Sequence, residues 1–368
     1  MKSYKPASYV KDCQEDSFAP KKQLKFIDCS LGVNPYGYSP LVADLFSNSF
    51  EKHDFCSYPS FPYSDLKEEI ISYWKDCCSI NHNNIRFGGG SIDVLRSINR
   101  IFIGKGSKVL GSAPTFTSYP SDVELNEGIF DYVLLSENEN YKFDVDKFLS
   151  RITSEHNLVY IDNPNNPTGQ IIPLEQIERI AEKALENNVC LLVDEAYGDF
   201  MDNSNSALNL LCRFENVMVT RTFSKGFGLA GLRVGYVIAG EYLSEIYSKA
   251  ELPFTINSMG CIAASAALKD GSFISESMNK ICSVKEKIAG SFNFIKVLET
   301  SPEVPIMTLV HPDPDIDLNK LLEDNGILTE SGNDFHGLGK NFARMRVPAH
   351  HEELTVIIGK IENGIIAI

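Results

Sequence analysis

The run Arg221-Thr-Phe-Ser-Lys225-Gly-Phe-Gly-Leu-Ala-Gly-Leu-Arg233-Val-Gly-Tyr236 sets one lysine among hydroxyls and glycines, with an arginine eight residues on. A lysine amine in such surroundings can form a Schiff base with an aldehyde. Thr222, Ser224 and Arg233 can together hold an anionic group such as a phosphate. Upstream, Asp194 closes the apolar run in Leu191-Leu-Val-Asp-Glu-Ala-Tyr197. A carboxylate there can pair with a protonated ring nitrogen and keep a bound ring electron-withdrawing. Tyr197, three residues later, can donate its hydroxyl to a ring oxygen. The turn Arg86-Phe-Gly-Gly-Gly-Ser-Ile-Asp93 precedes a helical pattern. Its glycines let the backbone come close, and a helix N-terminus offers free N–H groups to a phosphate.

These residues need a scaffold that brings them to one edge. Residues 108–112, 157–162, 189–194, 217–220 and 234–239 are near-continuous apolar runs, as expected for strands buried on both faces. Residues 173–187 carry apolar side chains at helical spacing, with Pro173 at a first-turn position. The alternation predicts an α/β fold with a mostly parallel, doubly wound sheet. In such sheets ligands bind beyond the carboxyl ends of the strands. The last hundred residues or so read differently, with a helix over 276–294, short strands and turns.

The lysine segment, Asp194 with Tyr197, and Asn163-Pro-Asn-Asn-Pro-Thr-Gly169 together resemble the motifs of fold-type I pyridoxal 5′-phosphate (PLP) enzymes, the class I/II aminotransferase superfamily. Histidinol-phosphate aminotransferases and threonine-phosphate decarboxylases are the most similar members. The resemblance implies a large PLP domain over 38–260 and a small α/β domain from both termini, 1–37 and 261–368. It places Lys225 on the cofactor, Asp194 on the pyridine nitrogen, and Tyr197 and Asn166 at the phenolic oxygen. Gly90, Ser91 and Ile92 fall at the phosphate cup with Thr222, Ser224 and Arg233. Phe116, in Pro114-Thr-Phe-Thr-Ser-Tyr119, falls face-on to the ring. Tyr58 matches a tyrosine that reaches the neighbour's cofactor phosphate across a homodimer interface, although an intrachain contact stays open. Arg344, in Asn341-Phe-Ala-Arg-Met-Arg-Val-Pro348, matches the arginine that grips a substrate α-carboxylate, with Arg346 as the competing choice. Asn34, in Ser30-Leu-Gly-Val-Asn-Pro-Tyr-Gly37, resembles a substrate-side motif.

One position departs from that pattern. Phosphate-substrate relatives usually carry an arginine after the Gly-Ile-Leu strand, where this chain reads Gly326-Ile-Leu-Thr-Glu330. Glu330 would repel a distal phosphate and suit a guanidinium or amine. The alternative is a solvent-exposed loop glutamate. The expected activity is therefore transamination of an amino acid, with a cationic side chain favoured. The same residues would serve an α-decarboxylase or an elimination/cyclisation enzyme. A non-catalytic PLP-binding regulator is a separate class, disfavoured by the full catalytic set and the lack of a fused helix-turn-helix segment.

Composition agrees with an ordinary globular enzyme: 368 residues, 43% hydrophobic and 23% charged. A net charge of −15 argues against nucleic acid or an anionic membrane surface as partner. The nine cysteines form no Cys-x-x-Cys pair, as expected of reduced thiols in the cytoplasm. No apolar leader opens the chain and no 18-residue apolar run could span a bilayer. The histidines form no metal-ligand spacing. His336 and the His350-His351 pair, which flank Arg344, are expected on the surface or in packing.

Overall fold

The computed structural model describes residues 26–49 and 56–366. Residues 1–25 of the expected small domain lie outside the described residues. After β1 (Ile27–Asp28), the central sheet is built from β2 (Ile85–Gly88), β3 (Lys108–Ala113), β4 (Ile129–Leu134), β5 (His156–Asp162), β6 (Cys190–Asp194), β7 (Val217–Thr222) and β8 (Gly235–Ala239). Its order is β2-β8-β7-β6-β5-β3-β4. β3 to β7 run parallel to one another, and β8 is antiparallel to both β7 and β2.

Alternation along each strand feeds two cores. Val159, Ile161, Leu191, Val193 and Val219 pack on one face. Leu158, Tyr160, Leu192 and Met218 pack on the other. Helices cover both, which is why these strands read as unbroken apolar runs. Five strands appear where the apolar runs predicted them, to within one or two residues. β2 and β4 were not expected: β2 runs into the glycine turn, and β4 is an edge strand whose end residues Ile129 and Leu134 are exposed. The helix Leu174–Glu186 also follows its pattern, but Pro173 sits just outside its first turn. The Pro173 carbonyl accepts the Gln176 N–H at 2.9 Å.

The C-terminal part builds β9 (Lys296–Val297), β10 (Ile306–Val310), β11 (Ile327–Leu328), β12 (Glu330–Ser331) and β13 (Phe342–Arg346). Four of them form an antiparallel sheet in the order β12-β13-β10-β9. β1 pairs in parallel with β11, so the N-terminal segment joins this smaller unit, and Cys29 enters its core beside Met307, Ile327 and Met345. The resemblance puts a domain boundary at residue 261. It cuts the helix Ser258–Leu268, whose Ala263, Ala264 and Ala267 pack into the large unit's core. Their small side chains let that helix approach closely. The next helix, Phe273–Ala289, sends Ile288 into the small core. That helix was expected over 276–294 and ends instead before Gly290.

Candidate active site

Because β3, β5, β6 and β7 are parallel, their carboxyl ends share one edge, and antiparallel β8 brings its amino end there. A cavity of about 280 Å³ opens at this edge. Asp194, Tyr197, Lys225, Ser224 and Arg233 line it from β6, β7 and β8. Ser91, Ile92, Phe116 and Asn166 line it from the loops after β2, β3 and β5.

Asp194 is buried and accepts only neutral donors. Its Oδ1 takes the Thr220 hydroxyl at 2.9 Å and the Ala196 N–H at 3.1 Å; its Oδ2 takes the Tyr160 hydroxyl at 3.3 Å. Burial pushes its carboxyl up to about 6, with the Thr220 bond pulling back and Asp162 adding to the rise. Lys225 Nζ lies 5.2 Å from the centre of the Tyr197 ring. The Tyr197 hydroxyl is buried without a hydrogen-bond partner. A Cβ at Gly32 would stand 1.8 Å from that hydroxyl oxygen, so only glycine fits there.

At the other end of the cavity the helix Ser91–Phe102 presents its first turn, where N–H groups have no intrahelical acceptor. Arg233 Nη2 donates to the Gly89 carbonyl at 3.1 Å, and Nη1 to the Ala230 carbonyl at 2.9 Å. Gly90 donates its N–H to the Gly88 carbonyl at 2.8 Å. It contributes shape: φ is 87°, and a Cβ would lie 2.4 Å from Arg233 Nη2. Thr222 stands behind Ser224, with their hydroxyl oxygens 2.9 Å apart, and so orients the residue that faces the cavity.

Asp162 was missed by the sequence reading. It lies directly across from Asp194 in the β5–β6 ladder. Its carboxylate accepts the Thr115 hydroxyl at 2.8 Å, the Asn165 amide at 3.0 Å, the Asn166 N–H at 2.8 Å and the Phe116 N–H at 3.3 Å. One side chain thus ties the loop carrying Phe116 to the loop carrying Asn166. Burial pushes this carboxyl up to about 6 as well. The available signal was an acid ending a buried strand, the same one that marked Asp194.

Among the expected substrate residues, Arg344 enters the site: Nη1 donates to Asn166 Oδ1 at 3.1 Å. Arg346 turns away to the Asp28 carbonyl and ties β13 to β1. Glu330 is not a loose loop residue. It opposes Arg344 in the β12–β13 ladder and pairs with it at 2.5 Å. Asn34 does not line the cavity; its amide donates to the Gly226 carbonyl at 2.9 Å and its N–H to the Lys225 carbonyl at 3.2 Å. It therefore holds the N-terminal segment against the lysine loop. Tyr58 is 80% exposed, packs on Phe254 with ring centres 4.7 Å apart, and does not line its own chain's cavity. His336 stacks on Tyr132 at 4.0 Å, a packing role.

The residues present fit PLP. The uncompensated Asp194 carboxylate suits a pyridinium, the unpartnered Tyr197 hydroxyl a phenolate, and the glycine–arginine–helix cradle a phosphate. Residues 25–361 match the family described as Aminotransferase class I and II. Histidinol-phosphate aminotransferase of Thermoanaerobacter pseudethanolicus is 35% identical over 283 residues, which is 76% of this chain and 77% of that protein. The fold is similar to histidinol-phosphate aminotransferase of Sinorhizobium meliloti, solved in complex with pyridoxal-5′-phosphate. The TM-score is 0.80 at 22% identity, covering 92% of this chain and 91% of that one. L-threonine-O-3-phosphate decarboxylase of Porphyromonas gingivalis has a similar fold too, with a TM-score of 0.77 at 18% identity over 93% and 100% of the two chains.

Proposed function

The chain belongs to the class I and II aminotransferases, which are PLP-dependent enzymes, and from that premise we propose that it transaminates an amino acid bearing a cationic side chain. The carrying observation is the convergence of Lys225, Asp194 and the unpartnered Tyr197 hydroxyl in one cavity. When bound, PLP supplies an aldehyde for the amino group and a ring that draws electrons from Cα. In this reading the Lys225 amine holds the cofactor and, once freed, takes and returns the α-proton. Asp194 keeps the ring nitrogen protonated, Phe116 lies against the ring face, and Asn166 turns its amide toward the ring oxygen. Ser91, Ile92, Ser224 and Arg233 hold the phosphate. Arg344 fixes the substrate carboxylate and so orients the Cα bonds; a planar guanidinium does this bidentately.

The choice of substrate rests on Glu330, a carboxylate beside Arg344 where a distal phosphate would meet repulsion. The relatives' names favour a second reading, transamination of histidinol phosphate. Incubating the PLP-loaded enzyme with arginine, lysine, neutral amino acids, histidinol phosphate and threonine phosphate separates the two. Oxo-product, CO₂ and ammonia are followed separately, which also separates transamination from decarboxylation and elimination. Efficient turnover of histidinol phosphate, with none of arginine or lysine, would overturn the cationic reading.

Tyr58, exposed and away from its own cavity, supports a homodimer in which it reaches the partner's cofactor phosphate. Among the described residues no helix is long and apolar enough to cross a membrane. With the reduced-thiol reading of the cysteines, this supports a place in the cytoplasm.

A further inference from the structure

Both terminal nitrogens of Arg344 are already engaged, while its Nε is buried without a partner. Its Nη2 is held by Glu330 Oε1 at 2.5 Å and by the Ser30 carbonyl, and its Nη1 by Asn166. The pairing with Glu330 follows from strand register, since directly opposed residues in an antiparallel ladder stand within side-chain reach. The two partners are unequal. The Arg344 side chain is 3% exposed, whereas that of Glu330 is 33% exposed. The arginine is anchored by β13, and the carboxylate is the partner that can leave. An anion arriving from the cavity gains a fork-to-fork contact only by taking the place of Glu330.

We infer that Glu330 determines specificity by ion-pair exchange: the substrate carboxylate displaces it from Arg344, and the released Glu330 takes the substrate's cationic group. This rests on the reading of Arg344 as the carboxylate-holding residue. A neutral substrate performs only half of the exchange. It leaves Glu330, two-thirds buried, without its ion-pair partner, which penalises binding. A cationic substrate restores the lost pair. Affinity for the carboxylate and selection for the cation thus become one property of the Glu330–Arg344 pair. The charged groups facing Glu330 are Arg344 on β13, Lys225 after β7 and Asp334 in the turn after β12. Protonating Glu330 releases Arg344, so neutral carboxylates gain affinity as pH falls.

The test uses ligands without a primary amine, which form no Schiff base with the cofactor: pentanoate, and 4-guanidinobutanoate as its cationic counterpart. Binding to the PLP-loaded enzyme is measured by calorimetry. Wild type is expected to bind 4-guanidinobutanoate about tenfold or more tightly than pentanoate, the scale of one charge-assisted contact. Glu330→Gln should bring the ratio close to one, chiefly by improving pentanoate. In wild type, pentanoate binding should tighten toward acid pH with proton uptake, and Glu330→Gln should remove that dependence. The pH arm needs no variant, so it stands even where a substitution impairs folding. Arg344→Gln, with Arg344→Lys as its milder counterpart, should weaken both ligands. If it weakens neither, the carboxylate reading fails and the exchange with it. If it weakens both while Glu330→Gln and pH leave the ratio untouched, the exchange alone is overturned.

Discussion

Arg221 and Arg344 are both almost fully buried, yet their surroundings are built on different terms. Arg221 lies beneath the lysine loop with Nη1 2.8 Å from Glu195, Nη2 2.6 Å from Asp199 and its guanidinium 4.6 Å from the centre of the Trp74 ring. Those carboxylates are in turn closed off. Glu195 accepts the Ser206 hydroxyl and the Ala207 N–H, both at 2.7 Å, and Asp199 accepts the Gly226 N–H at 3.2 Å. Arg344 has a single carboxylate partner, and that one can reach water. Asp194 goes further, with no cation at all. Charge that the protein completes by itself acts as scaffold, and charge left incomplete or with a removable partner marks where a ligand enters.

The largest effect expected from this contrast is at the incomplete end. Lys225→Ala should lower turnover on the order of 10⁴-fold while leaving the melting temperature nearly unchanged. Borohydride reduction of the wild type should fix the cofactor on the peptide containing Lys225; labelling of another lysine would break the assignment. At the complete end the effect should fall on folding. Arg221→Met strands two buried carboxylates and should cost about 3–5 kcal/mol in urea unfolding. A loss as small as that of a surface substitution would break the contrast.

Asp194 sharpens it through pH. Its folded carboxyl, pushed up to about 6, holds a proton that the unfolded chain releases nearer pH 4. Its contribution to apoprotein stability is therefore present at acid pH and lost as pH rises through about 6, by an amount of order 2 kcal/mol. Asp194→Asn should show a shallower fall, since Asp162 and Asp199 are pushed up to about 6 as well, and PLP loading of the wild type should flatten it by supplying the missing cation. Parallel melting curves for wild-type and Asp194→Asn apoprotein between pH 4.5 and 7.5 would count against this account. The smallest expected signal concerns Tyr58. Mixing Lys225→Ala with Tyr58→Phe chains should restore part of the activity through hybrid sites. No recovery, with subunit exchange verified, would remove the shared site.

Much of the cofactor side was legible because its signals are local. Lys225 with its hydroxyls and glycines, Asp194 at a strand end and the Asn163–Gly169 turn each lie within a few consecutive residues. What escaped depends on distant partners. Gly32 matters only because Tyr197 stands opposite it, and Asp162 only because two loop segments converge on it. Glu330 and Arg344 were each singled out, but their pairing follows from the β12–β13 register, which hydrophobic pattern cannot specify in a two-residue strand. The side taken by the helix Ser258–Leu268 has a similar cause: an alanine-rich helix reads alike whichever core it joins.

The pairing of β1 with β11 has a consequence for the order in which the molecule can be made. Ile27 meets Ile327, and the same N-terminal segment carries Gly32 to Tyr197 and Asn34 to the lysine loop. A stretch made early therefore waits for one made about three hundred residues later before it can settle. Closing so long a loop is slow. A nascent chain halted before residue 327 is expected to have its central sheet in place yet fail to retain PLP. Release of some forty further residues should then confer retention, an outcome that arrested chains of graded length, assayed by cofactor fluorescence, would reveal.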